Sequence, residues 1–316
     1  MGSITINHVR WVSCMENQKK ELIKWALKEF STSLKIFEQR WNIFETQPYF
    51  DYRVELRIDE FLCKGRGVNT SKDLALTSAL AEAIERYAIK FNSINSSNGI
   101  SLHSNQSEAR LNAKLELIER HYVMAYSLGH IENNNIHSLA YAQIAPTIKA
   151  LNFFGVEFSF LKLNSEKYYT VLCQASGLQC KKPFGLCFGS ATKISLEKAI
   201  EKSFFEALIN TVAHINLNIQ AISEDDFQKI ISPKPEDHLA LYSDVTFAKK
   251  YLTLARHQHG PLNTPLNEKF TIQEIFYPYS SLFPVFKASH PDALSAHWGY
   301  LNHPNNFNPS FPLVLP

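Results

Sequence analysis

The stretch from Lys64 to Phe91 carries ionisable side chains at the spacing of a helix face. Ser78, Glu82 and Glu85 follow one another at intervals of four and three residues, and Arg86 comes directly after them. At about 3.6 residues per turn, the first three lie on one stripe of a helix. Two carboxylates on one face repel each other, so a divalent cation bound between them would replace that repulsion with attraction.

The same pattern, Glu-x-x-Glu-Arg, returns further along the chain as Glu116, Glu119 and Arg120. Ser107 can cap this second helix, and Glu108 lies in its first turn, where a carboxylate suits the helix dipole. The alternative interpretation of each pair is a solvated helix face without a functional role. We favour a cation site because apolar residues flank both pairs, and buried carboxylates need partners.

The spacing of the two copies, about 34 residues, is also the period of tetratricopeptide helical hairpins. Those arrays need at least three copies and a pattern of Trp, Leu, Gly, Tyr and Ala. Here only two copies match, and they match in charged residues. The spacing therefore does not indicate a helical repeat protein.

The composition is that of an ordinary globular protein. The chain has 316 residues, of which 45% are hydrophobic and 20% charged, and its formal net charge is +2. This balance excludes the basic footprint of a nucleic-acid-binding protein. No stretch approaches the roughly 18 apolar residues of a membrane span. The first residues lack a basic segment followed by an apolar run, so we expect no secretion signal, no membrane association and a cytoplasmic location.

The cysteines do not have the spacing of a metal site. Zinc sites usually bring two ligands within about two to four residues of each other. We therefore expect buried free thiols. The five cysteines are Cys14, Cys63, Cys173, Cys180 and Cys187.

The hydrophobic pattern predicts an α+β chain with mixed sheets flanked by helices, organised as one composite domain. Gly65-Arg66-Gly67 is expected to form the turn that leads into the first carboxylate helix. One or two helices are predicted over residues 17–45, and further helices over 70–91, 107–129 and 195–212, with loop and a surface helix over 221–265. Strands are predicted over residues 49–63, 100–103, 150–160, 168–178, 270–277 and 284–287.

Three segments resemble the signatures of the YcaO superfamily. Gly65 to Tyr87 resembles the first, a Gly-x-Gly turn followed by S-A-x-x-E-x-x-E-R. Asn98 to His121 is similar to the second, in which an Asn-Gly segment and an E-A pair precede E-x-x-E-R. Gly189 to Asn210 is similar to the third, an amphipathic helix that usually ends in E-A-x-x-Q. The resemblance covers roughly residues 60–316, the expected ATP-binding catalytic domain with its proline-rich tail. Residues 1–59 are then an N-terminal helical and strand segment of the same domain.

The resemblance implies a YcaO-type composite ATP-binding fold in which ATP and Mg²⁺ lie between these helices. Hard cations take carboxylate oxygens, and a guanidinium matches phosphate oxygens. Carried over by position, the Mg²⁺ ligands are Glu82, Glu85, Glu116 and Glu119. The same four residues bind the nucleotide together with Ser78, Glu108, Arg120 and Glu206. The last residue, Pro316, is the implied catalytic group, because a stiff proline-bearing tail can place its carboxylate in an active site at little ordering cost.

Members of this family use ATP to phosphorylate a backbone amide oxygen of a peptide. Attack by a Cys, Ser or Thr side chain on the amide carbon then gives an azoline. Related members use sulfide to give a thioamide, or a terminal amine to give an amidine. The enzyme's work is then positioning and charge neutralisation. The resemblance also implies a peptide substrate and a partner of the E1-like (ThiF-type) or TfuA type, and it leaves a homodimer open.

The chain departs from the family pattern in three places. Asn210 stands where the third signature has Gln, and Gln273-Glu274 stand where an Arg that reaches the phosphates is usual. The tail has Pro309, Pro312 and Pro316 in place of a Pro-x-Pro-x-Pro run. We therefore hold three hypotheses: an azoline-forming cyclodehydratase first, a thioamide-forming enzyme second, and a degenerate scaffold that binds a peptide or partner third.

Overall fold

The protein is described by a computed structural model, and its helices and sheets confirm the α+β class. The residues that the structure describes are 20–43, 48–127, 131, 134–136, 143–164, 167–217, 220–254, 266 and 269–294. They divide into two compact units, one within residues 1–42, 47–113 and 272–288 and the other within residues 43–46, 114–271 and 289–316. The predicted division at residue 59 stays a prediction.

The first unit is a three-stranded antiparallel sheet followed by a long helix. The described part of helix α1 is residues 20–29. Strands β1 (Leu34–Trp41), β2 (Tyr49–Ile58) and β3 (Phe61–Asn69) pair in chain order, and helix α2 (Lys72–Phe91) follows. A second sheet contains β4 (Ile100–Leu102), β9 (Thr271–Ile275) and β10 (Val285–Ser289), with β10 in the middle. Helix α3 (Gln106–Ser127) contributes residues to both units.

The second unit is built around a four-stranded antiparallel sheet in chain order. Three short helices follow the long helix α5 (Leu196–Leu217) in a region where the sequence predicted loop and one surface helix. The sheet contains β5 (Asn134–Ile136), β6 (Glu157–Asn164), β7 (Tyr169–Ser176) and β8 (Leu186–Lys193). The helices are α4 (Ala145–Phe153), α5 (Leu196–Leu217), α6 (Glu224–Gln228), α7 (Pro235–Ser243) and α8 (Val245–Leu254). Among the described residues, none of the helices is long and apolar enough to cross a membrane.

The core of the first unit lies between α2 and one face of its sheet. Val54 and Leu56 of β2 pack against Leu80, Ala83 and Ile84 of α2, and all five are at most 1% exposed. Burying an aliphatic side chain of this size stabilises a fold by about 1.5–3 kcal/mol. Among the predicted site residues of α2, Ser78 is exposed, whereas Glu82 and Glu85 are partly buried.

The Gly65-Arg66-Gly67 turn is wrong, because these residues lie within strand β3. Their glycines serve close packing instead. A Cβ atom on Gly65 would meet the backbone of α2 at Ala79 and Ala83, and one on Gly67 would meet it at Ala75 and Ala79. Small residues on both sides let the strand and the helix approach closely.

The helix predicted over residues 17–45 is also only partly right. It ends at residue 29, and β1 follows. Every residue of β1 pairs with β2, from Leu34 opposite Leu56 to Trp41 opposite Tyr49. Leu34 and Ile36 fit a period of two as well as a helical period, and the long-range pairing decides between them.

The strand predicted over residues 150–160 begins too early. Residues 150–153 finish helix α4, which has Pro146 in its first turn. The helix stops at Gly155, whose φ of +87° suits a glycine, and β6 starts two residues later. The strand predicted over residues 49–63 is wrong in its extent, because Asp59 and Glu60 turn the chain between β2 and the start of β3. The other predicted strands and the long helices lie within a few residues of observed elements.

Candidate functional site

Glu82 is held in the first unit by two donors, one on each carboxylate oxygen. The peptide N–H of Arg66 donates to Oε2 at 2.7 Å, across the strand–helix contact that the glycines permit. The guanidinium of Arg86 lies 2.6 Å from Oε1. Arg86 also donates to the carbonyl oxygen of Lys64 at 2.8 Å. Each oxygen of Glu82 therefore keeps a lone pair for another partner.

Glu85, one turn further along α2, lies in a less polar setting. Its carboxyl accepts a hydrogen bond from the peptide N–H of Leu102 at 3.0 Å. Burial raises the pKa of Glu85 to about 8, and the charge of Glu82 adds to that rise, while the Leu102 hydrogen bond and Arg86 oppose it. A cation bound at Glu82 and Glu85 would offset both the cost of burying the Glu85 charge and the repulsion between the two carboxylates.

The remaining predicted residues of the first unit are exposed. Ser78 lies on α2 one turn before Glu82, and Glu108 lies in the first turn of α3. The predicted cap Ser107 is wrong: Asn105 caps α3, because its side-chain oxygen accepts from the peptide N–H groups of Ser107 and Glu108 at 2.8 and 3.3 Å.

Glu119 is held in the second unit by strand β8. Its Oε1 accepts the hydroxyl of Ser190 at 2.6 Å, and its Oε2 accepts the peptide N–H of Thr192 at 3.0 Å. Ser190 is fully buried. As with Glu82, each carboxylate oxygen accepts one hydrogen bond. These bonds fix the orientation of the carboxylate and leave a lone pair on each oxygen for another partner.

Arg120 and Glu116 belong to the same charged cluster as Glu119. Burial disfavours the charge of Arg120, but the carboxylates of Glu119, Glu116 and Glu206 outweigh it and raise the pKa of the guanidinium. Arg120 is therefore a permanent cation beside three carboxylates. Such a group can donate hydrogen bonds to the oxygens of a phosphate without any change of protonation.

Glu206 of α5 joins this cluster from a third element. Its carboxylate accepts the peptide N–H of Ser190 at 3.3 Å and lies 3.1 Å from the ammonium of Lys202. Asn210, one turn later, donates to the carbonyl oxygen of Phe188 at 3.0 Å. The side chain that departs from the family's Gln thus bonds to strand β8.

The sequence reasoning missed three members of the cluster, all on β8: Ser190, Thr192 and Lys193. Burial lowers the pKa of Lys193, and so do Lys202 and Lys198, while Glu119 and Glu206 oppose that change. The available signal was the alternation of β8 after Gly189, which places Ser190 and Thr192 on one face of the strand. Gln273 and Glu274 lie in β9, and Pro316 with its tail lies outside the described residues.

Each unit by itself offers carboxylates, the donors that suit Mg²⁺. Within the described ranges, no three or more His, Cys, Asp or Glu side chains form a group that could hold a metal ion. Mg²⁺ in nucleotide sites is usually bound by one or two carboxylates and completed by phosphate oxygens and water. The aimed carboxylates Glu82 and Glu119, and the desolvated carboxyl of Glu85, match that requirement.

Comparison with known proteins gives one family and a set of structural relatives. The model of the family described as YcaO cyclodehydratase, ATP- and Mg²⁺-binding, matches residues 90–270. No curated protein sequence matches the chain.

Three solved structures share the fold. A YcaO from Methanopyrus kandleri bound with AMPPCP and Mg²⁺ has a TM-score of 0.56 at 15% identity, over 87% of this chain and 91% of its own. A heterocyclase in complex with substrate and cofactor has a TM-score of 0.58 at 10% identity, over 87% of this chain and 52% of its own. The E. coli microcin synthetase McbBCD complex has a TM-score of 0.55 at 12% identity, over 81% of this chain and 87% of its own.

The fold, the carboxylate helices and the family match define an ATP-dependent enzyme that uses ATP and Mg²⁺. The chain belongs to the YcaO cyclodehydratase family.

Proposed function

We propose that the chain activates a backbone amide of a ribosomally made peptide by O-phosphorylation and so forms an azoline. The observation that carries this proposal is the orientation of two carboxylates. Glu82 is held by strand β3 and by Arg86, Glu119 is held by strand β8, and each oxygen keeps one site available. An amide oxygen is a poor leaving group, and bound ATP supplies the phosphoryl group that makes it a good one.

In this proposal different residues bind the phosphates, the nucleotide and the metal ion. Arg120, permanently protonated, takes the phosphate oxygens. Ser78, Glu108 and Glu206 contribute further contacts to the nucleotide, and Pro316 is the proposed catalytic residue. The metal ligands are Glu82, Glu85, Glu116 and Glu119.

The proposed substrate is a peptide, and the proposed assembly includes a second protein. One structural relative is a heterocyclase in complex with substrate, and another is the multi-protein McbBCD complex. By analogy, a partner of the E1-like or TfuA type would deliver the peptide to this chain. A homodimer is the alternative assembly, and light scattering of the purified chain distinguishes the two.

The test is release of ADP by the purified chain with Mg²⁺, ATP and candidate precursor peptides encoded beside its gene. ADP release should depend on the peptide, and Glu82→Ala and Glu119→Ala should lower it by at least about 100-fold, the size of loss typical for groups that position and neutralise charge. Glu236→Ala, at an exposed glutamate of α7, is the matched control and should keep full activity. Full turnover in folded Glu82→Ala and Glu119→Ala would refute the site.

The mass of the peptide product tests the chemistry. Azoline formation removes one water from the peptide, whereas thioamide formation exchanges an oxygen for a sulfur. The loss of water supports the azoline proposal. The sulfur exchange would assign the chain to the thioamide-forming branch while keeping the same ATP site.

A further inference from the structure

The strand–helix pair β3–α2 recurs in the second unit as β8–α5, at a constant offset of 124 residues. At this offset the first residue of α2, Lys72, corresponds to the first residue of α5, Leu196. The identical residues include one glycine at the strand–helix contact, Gly65 and Gly189, and one glutamate of the site, Glu82 and Glu206. They are Leu62 and Leu186, Cys63 and Cys187, Gly65 and Gly189, Ser71 and Ser195, Ala75 and Ala199, Glu82 and Glu206, and Ala83 and Ala207.

The packing at the two glycines is the same. A Cβ atom on Gly65 would meet the carbonyl of Ala79 and the N–H of Ala83. One on Gly189 would meet the carbonyl of Ser203 and the N–H of Ala207, the corresponding positions of α5. In both copies, therefore, a strand glycine lets the helix backbone come close enough for the next peptide N–H to reach a helix carboxylate.

The hydrogen bonds that follow are also repeated. In the first copy the peptide N–H of Arg66 donates to Glu82, and in the second that of Ser190 donates to Glu206. One turn after each glutamate, a side chain bonds back to the strand. Arg86 donates to the carbonyl of Lys64, and at the same offset Asn210 donates to the carbonyl of Phe188.

The second copy adds one bond that the first lacks at the corresponding side chain. The hydroxyl of Ser190 donates to Glu119 of helix α3 at 2.6 Å, while its peptide N–H donates to Glu206 of α5. The side chain of Arg66, in the corresponding position, donates to Asp51 of β2. Ser190 is thus the point at which two carboxylates from different helices are fixed to one strand.

We propose that Ser190 is a positioning residue of the Mg²⁺-ATP site, which holds Glu119 through its hydroxyl and Glu206 through its peptide N–H. The inference rests on the proposed function and adds a residue to it. A fully buried hydroxyl has no water to bond to in place of Glu119, so its bond restricts the carboxylate to one orientation. Partners that orient metal-binding carboxylates are typically worth about 10–100-fold in affinity.

The experiment is calorimetric titration of the full chain with Mg²⁺ and AMPPCP. Ser190→Ala should weaken binding by about tenfold. The control is Ser203→Ala. Ser203 is equally buried, but its hydroxyl donates to the carbonyl oxygen of Ile200 within α5, so its removal should leave affinity within about twofold of wild type. Equal affinities of the two variants would overturn the proposal.

A double-mutant cycle tests whether Ser190 acts through Glu119. Glu119→Gln should weaken binding by itself, and Ser190→Ala added to it should cost less than about twofold more. Independent, multiplicative losses would contradict the proposal. If Glu119→Gln and Glu206→Gln both bind like wild type, the proposed function itself fails, so the two failures are distinguishable.

A second pair of variants covers the case in which Ser190→Ala does not fold. Ser190→Thr and Ser190→Val have the same shape and differ in the hydroxyl. Threonine should bind Mg²⁺ and AMPPCP about tenfold more tightly than valine. Equal affinity in this pair, with melting temperatures that match, would refute the positioning role.

Discussion

Asp51 and Arg66, which are not among the predicted site residues, form a bidentate ion pair in the first unit. The carboxylate of Asp51 is fully buried in β2, and the guanidinium of Arg66 bonds to both its oxygens at 3.0 and 2.7 Å. The guanidinium also lies over the ring of Trp41. This bidentate pair fixes the strand whose peptide N–H holds Glu82.

We expect Asp51→Asn to lower the free energy of unfolding by about 2–3 kcal/mol, because it leaves the Arg66 charge without its partner. Arg66 keeps 29% of its side chain exposed, and this places the cost below that of a fully buried pair. Urea denaturation measures the change. The control, Lys72→Ala, breaks the exposed pair with Glu38 and should cost at most about 1 kcal/mol. Equal costs for both variants would contradict the expectation.

His214 gives the fold a dependence on pH. Burial lowers its pKa from the usual 6.5 to about 4, and its ring stacks on Phe184. The unfolded chain therefore takes up this proton at a higher pH than the native chain does. Stability is unaffected above pH 6.5 and falls as the pH drops from about 6.5 towards 4, by about 3 kcal/mol in full.

The variant His214→Phe should remove this part of the acid sensitivity while keeping the stacked ring. The difference in unfolding free energy between wild type and variant should be constant between pH 7 and 8. It should shift in favour of the variant by about 1–3 kcal/mol between pH 6.5 and 4. A difference that stays constant through pH 4 would show that His214 does not control this range.

At the scale of elements, close strand–helix packing decides where the carboxylates lie. Gly65→Ala should place a methyl group against the backbone of α2 and lower the free energy of unfolding by about 1–3 kcal/mol. Since α2 must move, the bond from Arg66 to Glu82 should also weaken. Lys64→Ala, at the adjacent exposed position, should cost less than about 0.5 kcal/mol. A neutral Gly65→Ala would contradict the packing account.

The sequence predicts the long helices and the site residues on them, because charged residues at helical spacing are visible in a single chain. It does not predict that Gly65-Arg66-Gly67 lies in a strand, because these glycines serve close packing against helix α2, which follows later in the chain. The same holds for β1, whose partner β2 decides its conformation. Ser190 was missed because its role depends on Glu119, which approaches from another helix.

In the whole molecule, the packing of each strand–helix copy also holds one predicted site glutamate, Glu82 in the first and Glu206 in the second. The aimed carboxylates are held before any ligand binds, so binding should stabilise the native chain. Mg²⁺ and AMPPCP at about 100 times the dissociation constant should add about 2.7 kcal/mol and raise the melting temperature.

Differential scanning fluorimetry measures that shift. Glu119→Gln should lose most of it, and Glu236→Gln, at an exposed position of α7, should keep it. A full shift in Glu119→Gln would place the nucleotide elsewhere.

In the proposed reaction, a backbone oxygen of the peptide leaves as part of the inorganic phosphate. The most direct measurement uses a precursor peptide with heavy oxygen in the backbone amides that are modified, incubated with the chain, its partner, Mg²⁺ and ATP. Mass spectrometry of the released inorganic phosphate then follows the label. The account predicts one labelled oxygen in the phosphate for each amide converted. Unlabelled phosphate alongside modified peptide would contradict it.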